Sequence, residues 1–137
     1  RSTYHESIEP LQNALETNGF ETEYIPTTRA AREFPTSADE IAEFDVIVLS
    51  DIGYNTLALP PATFDDFEQR SNRLQLVEDF VQAGGGLVMV GGYLSFQGIN
   101  GKANYKDTPV EVALPVTMQS YDDRVERSDV ESLWIIP

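Results

Sequence analysis

The amino-acid sequence predicts an α/β fold built on a mainly parallel sheet. Helix-like and strand-like segments alternate along the chain, in the order helix, strand, helix, strand, helix, strand. Two of the strand-like segments, DVIVLS at 45–50 and LVMV at 87–90, are continuous apolar runs, which is typical of strands buried on both faces of a parallel sheet. Alternation of this kind gives parallel strands joined by right-handed helical crossovers.

The first predicted element is a helix. Its apolar positions follow helical spacing at Ile8, Leu11, Ala14 and Leu15. Because a proline is tolerated in the first helical turn, Pro10 places the start near Ser7, and Gly19 is suited to end the helix. The alternating segment FETEYIP at 20–26 then predicts a strand that ends at Pro26.

Two further helices have recognisable ends. Ser37, followed three residues later by Glu40, is a capping-box pattern for a short helix before the strand at 45–50. Asn72 and Gln75 form a second cap pattern, and the apolar stripe that follows comprises Leu74, Val77, Phe80 and Val81. The run 84–86 of three glycines is predicted to end that helix, rather than to cradle a phosphate, because it precedes a strand. SLWIIP at 132–137 predicts a closing strand.

A chain of 137 residues suits one compact domain, and we expect 1–137 to form a single one. Sheets of this kind normally begin with a strand, whereas the first element here is a helix. We therefore expect an N-terminal strand to be supplied by residues outside this sequence, which would make the chain part of a longer protein.

The charge balance limits the partners. Nine basic residues stand against 23 acidic ones, for a formal net charge of −14, which argues against nucleic acids and anionic membranes. Lys102 and Lys106 are the two lysines; an acidic, lysine-poor surface is typical of a halophile but equally of an ordinary acidic bacterial protein.

The sequence also limits the chemistry. It contains no cysteine, which excludes disulfides, thiolate metal sites and cysteine catalysis by these residues. No apolar run approaches the roughly 20 residues that span a bilayer, and no signal peptide is recognisable. We expect a cytoplasmic protein without a metal or a cofactor.

Candidate site residues follow the two apolar strands, because ligands of open parallel sheets bind at the carboxyl ends of the strands. Asp51 follows the first strand, and a glycine-rich stretch follows the second. The predicted ligand-binding residues are Asp51, Gly92, Tyr93, Ser95, Gln97, Lys102, Asn104 and Tyr105. Asp51 could equally cap a turn, and the tyrosines could simply pack across the loops.

Two blocks carry a resemblance to a known family, FDVIVLSDIGYNTLALPP at 44–61 and NRLQLVEDFVQAGGGLVMVGGYLSFQGINGKANYKDTPVEVALPVTM at 72–118. Over residues 4–124 the chain resembles the glutamine amidotransferase-like domains of the class I type, and more narrowly a bacterial and archaeal subfamily to which GGYLSFQG…KANY is quite specific. The resemblance implies a flavodoxin-like three-layer sandwich related to trehalose-utilisation-like proteins. It also implies a site at the turn after the second apolar strand.

Active members of that family carry a cysteine in a Gly-x-Cys-x-Gly pattern on this turn, supported by downstream His and Glu. Tyr93 stands where the resemblance places the cysteine, and the single histidine, His5, lies far upstream. A phenol is a poor nucleophile at neutral pH, so glutamine hydrolysis is not expected. Ser95 and His5 are weak catalytic candidates: Ser95 lacks the flanking glycines of an esterase turn, and His5 lacks a recognisable partner.

Two functions from different classes remain open. The first is an amidotransferase-like domain that binds a small polar molecule, such as a carbohydrate-related compound, at the strand ends. The alternative is a non-catalytic scaffold or subunit-interaction module, and homo-oligomers would suit either function because edge strands without flanking charge favour pairing. An open polar pocket at the strand ends would favour the first, and a pocket filled by Tyr93 and Phe96 the second.

Overall fold

The computed structural model describes residues 4–58, 72–122 and 124, with backbone alone at residues 4–7. In chain order, the elements within these ranges are α1 (Tyr4–Thr17), α2 (Thr27–Glu33), α3 (Ala38–Ile41), β1 (Val46–Ser50), α4 (Tyr54–Ala58), α5 (Arg73–Gln82), β2 (Gly86–Val90), a 3₁₀ turn (Ile99–Gly101) and α6 (Pro109–Ala113). The predicted strand at 132–137 lies outside the described residues.

The two strands confirm the predicted α/β class. β1 and β2 pair in parallel, with Val46 opposite Gly86 and Ser50 opposite Val90. Both strands therefore end at the same edge of the sheet, and the segments that follow them, 51–53 and 91–98, lie side by side.

The core packs against one face of this sheet. Ile47 and Leu49 point into it from β1, and α5 supplies Leu74, Val77 and Phe80. Helix α5 contacts β2 and also α3, α4 and α6, so it is the central helix of this layer. Burial of these aliphatic and aromatic side chains is the main favourable contribution to the folded state.

The opposite face of the sheet is half-exposed, and the prediction that both strands are buried on both faces is wrong for the described residues. We call this surface the valine face; its members and their exposed fractions are Val46 (50 %), Val48 (44 %), Val88 (47 %) and Val90 (39 %). The two apolar runs do form strands, as predicted. Within the described part of the chain, however, the helices that form the core pack against the face of the sheet opposite the valine face.

The ends of α5 follow the predicted local rules. The Asn72 side chain accepts a hydrogen bond from the Leu74 amide, as expected for an N-cap. At the other end Gly84 has a φ of +106°, and its amide and that of Gly85 donate to the carbonyls of Val81 and Phe80. This is a Schellman motif, which confirms the predicted C-cap.

Helix α1 ends as predicted but begins earlier. The amides of Gly19 and Phe20 close its last turn on Glu16 and Leu15, in the same pattern as at the end of α5. Its first residue is Tyr4 instead of Ser7, so Pro10 lies in the second turn. The predicted start was wrong because the proline rule is a preference, and this helix accommodates the missing amide donor at an exposed position.

The segment 20–26 is not a strand. It has no regular secondary structure, and the sheet of the described residues contains β1 and β2 alone. The alternating pattern was real, but a strand requires a hydrogen-bonded neighbour, and none of the described residues supplies one.

The cap of α3 is confirmed with one difference. Ser37 Oγ accepts the Glu40 amide at 3.3 Å, whereas the Glu40 carboxylate binds the amide and the hydroxyl of Thr36 instead of the Ser37 amide. These hydrogen bonds lower the pKa of Glu40. Within the described ranges, no helix is both long and apolar enough to cross a membrane.

Candidate functional site

We call the turn of residues 91–95, which follows β2, the elbow. It is joined to the end of β1 by two hydrogen bonds between the backbone of one segment and the side chain of the other. The Leu94 amide donates to Asp51 Oδ1 at 2.7 Å, and the Asp51 amide donates to Ser95 Oγ at 3.3 Å. The two strand ends are thus locked together through Asp51 and Ser95.

Asp51 holds an uncommon backbone conformation for this purpose. Its φ is +51°, in the left-handed region that asparagine and aspartate tolerate better than most other residues. Gly92 is required by the same arrangement, since a β-carbon at that position would lie 2.9 Å from Asp51 Oδ1. A strained residue held by specific contacts at a strand end is typical of a site under functional constraint.

A cavity of about 240 Å³ opens beside Asp51. We call it the strand-end cavity, and its lining residues are Ile8, Tyr24, Ile25, Thr27, Ser50, Asp51, Gly91 and Gly92. Helix α1 and the segment leading into α2 form one wall, and the ends of β1 and β2 form the other. Among the described residues, Asp51 is the one charged residue in this lining, and hydroxyl groups come from Thr27, Ser50 and Tyr24.

Tyr93, at the position that the resemblance assigns to the nucleophile, does not fill the cavity. Its ring is exposed, and the Arg124 guanidinium lies 4.7 Å from the ring centroid, a cation–π contact. Asp122 orients that guanidinium through Nε at 2.9 Å and Nη2 at 3.0 Å. The same carboxylate accepts the Asn100 amide at 3.0 Å, and these hydrogen bonds hold the pKa of Asp122 well below its usual range.

Three predicted ligand-binding residues lie in the interior instead. Ser95 and Gln97 are buried; Ser95 Oγ accepts the Asp51 amide, and Gln97 Oε1 accepts the Lys106 amide. Tyr105 is fully buried, and its hydroxyl donates to the Ile52 carbonyl at 2.7 Å. Burial raises the pKa of Tyr105 and keeps the phenol neutral. All three support the loops that carry the site.

The other predicted residues are apart from the cavity or are not described. Lys102 and Asn104 are exposed on the loop after the 3₁₀ turn and do not line the cavity. His5 lies in the first turn of α1, and its side chain is outside the described part of the structure. Buried Ser95 is an internal acceptor in this structure, so its geometry lends no support to a serine nucleophile.

Sequence reasoning missed most of the cavity wall. Thr27 begins α2, a helix that was not predicted, and Ser50 is the last residue of the predicted strand and was not among the predicted ligand-binding residues. Pro26 immediately before Thr27 was the available signal, because prolines are common at helix starts. Ile8 and Tyr24 approach the strand ends through tertiary folding, which no local pattern reveals.

The described residues contain no group of three or more His, Asp or Glu side chains suited to hold a metal ion. In chemical terms, the site offers hydrogen-bond acceptors and hydroxyls around a small cavity. The elbow amide that would stabilise an oxyanion in a nucleophile-elbow enzyme is already bonded to Asp51.

Comparisons with known proteins agree with this architecture. The cytoplasmic protein STM3548 from Salmonella typhimurium superposes with a TM-score of 0.82 at 45% identity, over 88% of this chain and 49% of its own. The cytoplasmic protein STM1381 from Salmonella typhimurium LT2 gives 0.80 at 45% identity, over 86% and 48%. This chain therefore spans about half the length of either protein.

No curated protein matches the chain significantly. The family model GATase1_like, described as "Putative glutamine amidotransferase", matches residues 1–134. This match covers nearly the whole sequence, and both structural neighbours share the fold. The chain belongs to the glutamine amidotransferase-like family.

Proposed function

We propose that this chain is a non-hydrolytic amidotransferase-like domain of the cytoplasm that binds a small polar molecule in the strand-end cavity. The proposal rests on two adjacent features: the elbow amide is already hydrogen-bonded within the protein, and the cavity beside it is open. Asp51 holds the Leu94 amide at 2.7 Å, while the cavity beside it remains lined by hydroxyls. The neighbours' description as cytoplasmic proteins supports the location.

Two features argue against glutamine hydrolysis. Tyr93 stands at the position that the resemblance assigns to the nucleophile, and a phenol is a poor nucleophile compared with a thiolate. The elbow amide that would support a tetrahedral intermediate is bonded to Asp51. An enzyme of this type needs both groups in the transition state, so binding without hydrolysis is the function that this geometry supports.

The cavity supports a small, hydrogen-bonding ligand. Its volume of about 240 Å³ lies below the roughly 300–1,000 Å³ of sites for drug-sized molecules. The Ser50 and Thr27 hydroxyls have no hydrogen-bond partner among the described residues, so both can bind a ligand. A sugar or a related polyhydroxy compound matches this mixture of hydroxyl groups, a carboxylate and the apolar side chains of Ile8 and Ile25.

A thermal-shift screen against sugars, amino acids, nucleotides and divalent metals tests the proposal. A ligand at a hundred times its dissociation constant adds about 2.7 kcal/mol to the free energy of unfolding, which gives a clear rise in Tm. We expect Ser50→Ala to abolish the shift of a hit and Lys102→Ala, outside the cavity, to preserve it. A screen in which no compound raises Tm would contradict the proposal.

The valine face favours a second candidate, a subunit-interaction module that pairs with a second copy of this chain. Four half-exposed valines form an uncharged apolar surface on adjacent strands, and such surfaces are typical of protein contacts. Analytical ultracentrifugation would then show a dimer that Val48→Asp dissociates and that Val112→Asp, on the exposed side of α6, does not. A monomer at all concentrations would exclude this function.

A further inference from the structure

We propose that the Asp51 carboxylate is a built-in anion at the oxyanion position of the elbow. The strand-end cavity then accepts ligands that donate hydrogen bonds, through ammonium or hydroxyl groups, and excludes carboxylates and other anions. The inference rests on the proposed function for the cavity as a ligand site, and it names the chemical class of that ligand.

The position of the carboxylate is the first argument. Leu94 directly follows Tyr93, and in nucleophile-elbow enzymes the amide after the nucleophile is one of the donors to the oxyanion. In this chain that amide donates to Asp51 Oδ1 at 2.7 Å, the short distance typical of a bond to a charged acceptor. The carboxylate therefore occupies the place where a ligand's negative oxygen would otherwise bind.

The fit of the carboxylate is the second argument. Asp51 adopts a φ of +51°, and the space over Gly92 is open only because that residue lacks a β-carbon. The Ser95 hydroxyl fixes the Asp51 backbone through its amide. Leu94, Gly92 and Ser95 thus favour one position of the carboxylate, which makes displacement by an incoming anion unfavourable.

The charge of the cavity is the third argument. Among the described residues, its lining contains no lysine, arginine or histidine, so an anion that enters meets the Asp51 charge without a compensating cation from them. The chain as a whole carries a net charge of −14 and adds to the repulsion. Oδ2 of Asp51 has no donor among the described residues, so an ammonium or hydroxyl group of a ligand can bind it.

Amide NMR spectra of the full chain test this directly. The probes are sodium acetate, with sodium chloride at matched ionic strength as the control, and ethanolamine hydrochloride. Asp51→Gly removes the carboxylate and is compatible with the backbone conformation at this position, because glycine adopts a positive φ without strain. Asp51→Asn removes the charge and keeps a carbonyl oxygen for the Leu94 amide.

In the wild-type protein we expect acetate to leave the Leu94 amide unchanged and ethanolamine to shift the amides around the cavity. In Asp51→Gly, acetate should shift the Leu94 amide in a saturable manner, with a dissociation constant at least tenfold lower than any in the wild type. In Asp51→Asn, acetate should still leave the Leu94 amide unchanged, and ethanolamine should no longer shift the amides around the cavity.

Two results would overturn the inference: a wild-type Leu94 response to acetate equal to that of Asp51→Gly, or a folded Asp51→Gly protein that acetate does not affect. The Asp51→Asn variant gives an independent test, since an unchanged ethanolamine response there would also contradict it. The proposed function is tested separately, because it fails if the ligand screen gives no hits. In that case the response of the Leu94 amide to acetate in Asp51→Gly still tests anion exclusion.

Discussion

The hydroxyl of Tyr105 donates a 2.7 Å hydrogen bond to the carbonyl of Ile52, in the interior of the protein. This bond ties the loop after β2 to the segment that follows β1, directly next to Asp51. A second link runs parallel to it, because the Tyr54 amide donates to the Ala103 carbonyl at 2.8 Å. These two hydrogen bonds therefore hold together the two loops that carry the candidate site.

Tyr105→Phe should lower the free energy of unfolding by about 1–2 kcal/mol, because it leaves the buried Ile52 carbonyl without its donor. Urea denaturation measures the change. Tyr121→Phe is the matched control, since Tyr121 is exposed and its hydroxyl makes no hydrogen bond with the described residues. Equal stabilities of the two variants would contradict a structural role for the Tyr105 hydroxyl.

Stability should also fall at high pH through the same residue. Burial raises the pKa of Tyr105 above its ordinary value of about 10, so the folded state retains the phenol proton longer than the unfolded state does. The part of the free energy of unfolding that depends on protonated Tyr105 is complete below about pH 10. It is lost as the pH rises towards the folded-state pKa, by at most about 1.4 kcal/mol per pH unit. Denaturation between about pH 9 and about pH 11 should show a shallower decline for Tyr105→Phe than for the wild type. Parallel pH profiles would refute this assignment.

Gly92→Ala should destabilise the protein by about 1–3 kcal/mol, since the new β-carbon would lie 2.9 Å from Asp51 Oδ1 and force the carboxylate away from the Leu94 amide. The neighbouring Gly91→Ala provides the control, because a β-carbon there meets no atom within 4 Å. Its effect should stay within about 0.5 kcal/mol. A Gly92→Ala protein as stable as Gly91→Ala would show that the carboxylate is not held over the elbow.

Salt should stabilise the folded state. A net charge of −14 on 137 residues produces self-repulsion that added ions screen, and the screening length falls from about 10 Å at 0.1 M to about 3 Å at 1 M. We expect Tm to rise by several degrees between potassium chloride at about 0.1 M and about 1 M. A Tm that is unchanged or lower in high salt would count against this effect, and with it against the interpretation of the composition as a salt adaptation.

The parts of the fold that were predictable from sequence are those determined by local chemistry. The Asn72 cap, the Ser37 cap and the Gly84 ending of α5 each depend on a few adjacent residues, and all three are present. The segment 20–26 shows the limit of such reasoning, because its alternation is visible in the sequence but its hydrogen-bonding neighbour is not. The short helices α2, α4 and α6 were missed because five to seven residues carry too little periodicity.

The candidate site was predictable in part for the same reason. Asp51 directly follows β1 and Gly92 lies two residues after β2, so their place at the strand ends was evident. Ser95 and Tyr105 were expected to face a ligand, yet they support the loops from within. A loop pattern shows which residues are close to a strand end, but tertiary packing decides which of them point into the cavity.

Amide NMR mapping of a bound ligand shows directly whether the strand-end cavity is the binding site. The ligand is the strongest hit of the thermal-shift screen, titrated into the full chain. We expect the shifts to concentrate at the cavity residues Thr27, Ser50, Asp51, Gly91 and Gly92. Shifts centred on the exposed loop of Lys102 and Asn104, with the cavity amides unchanged, would contradict this expectation.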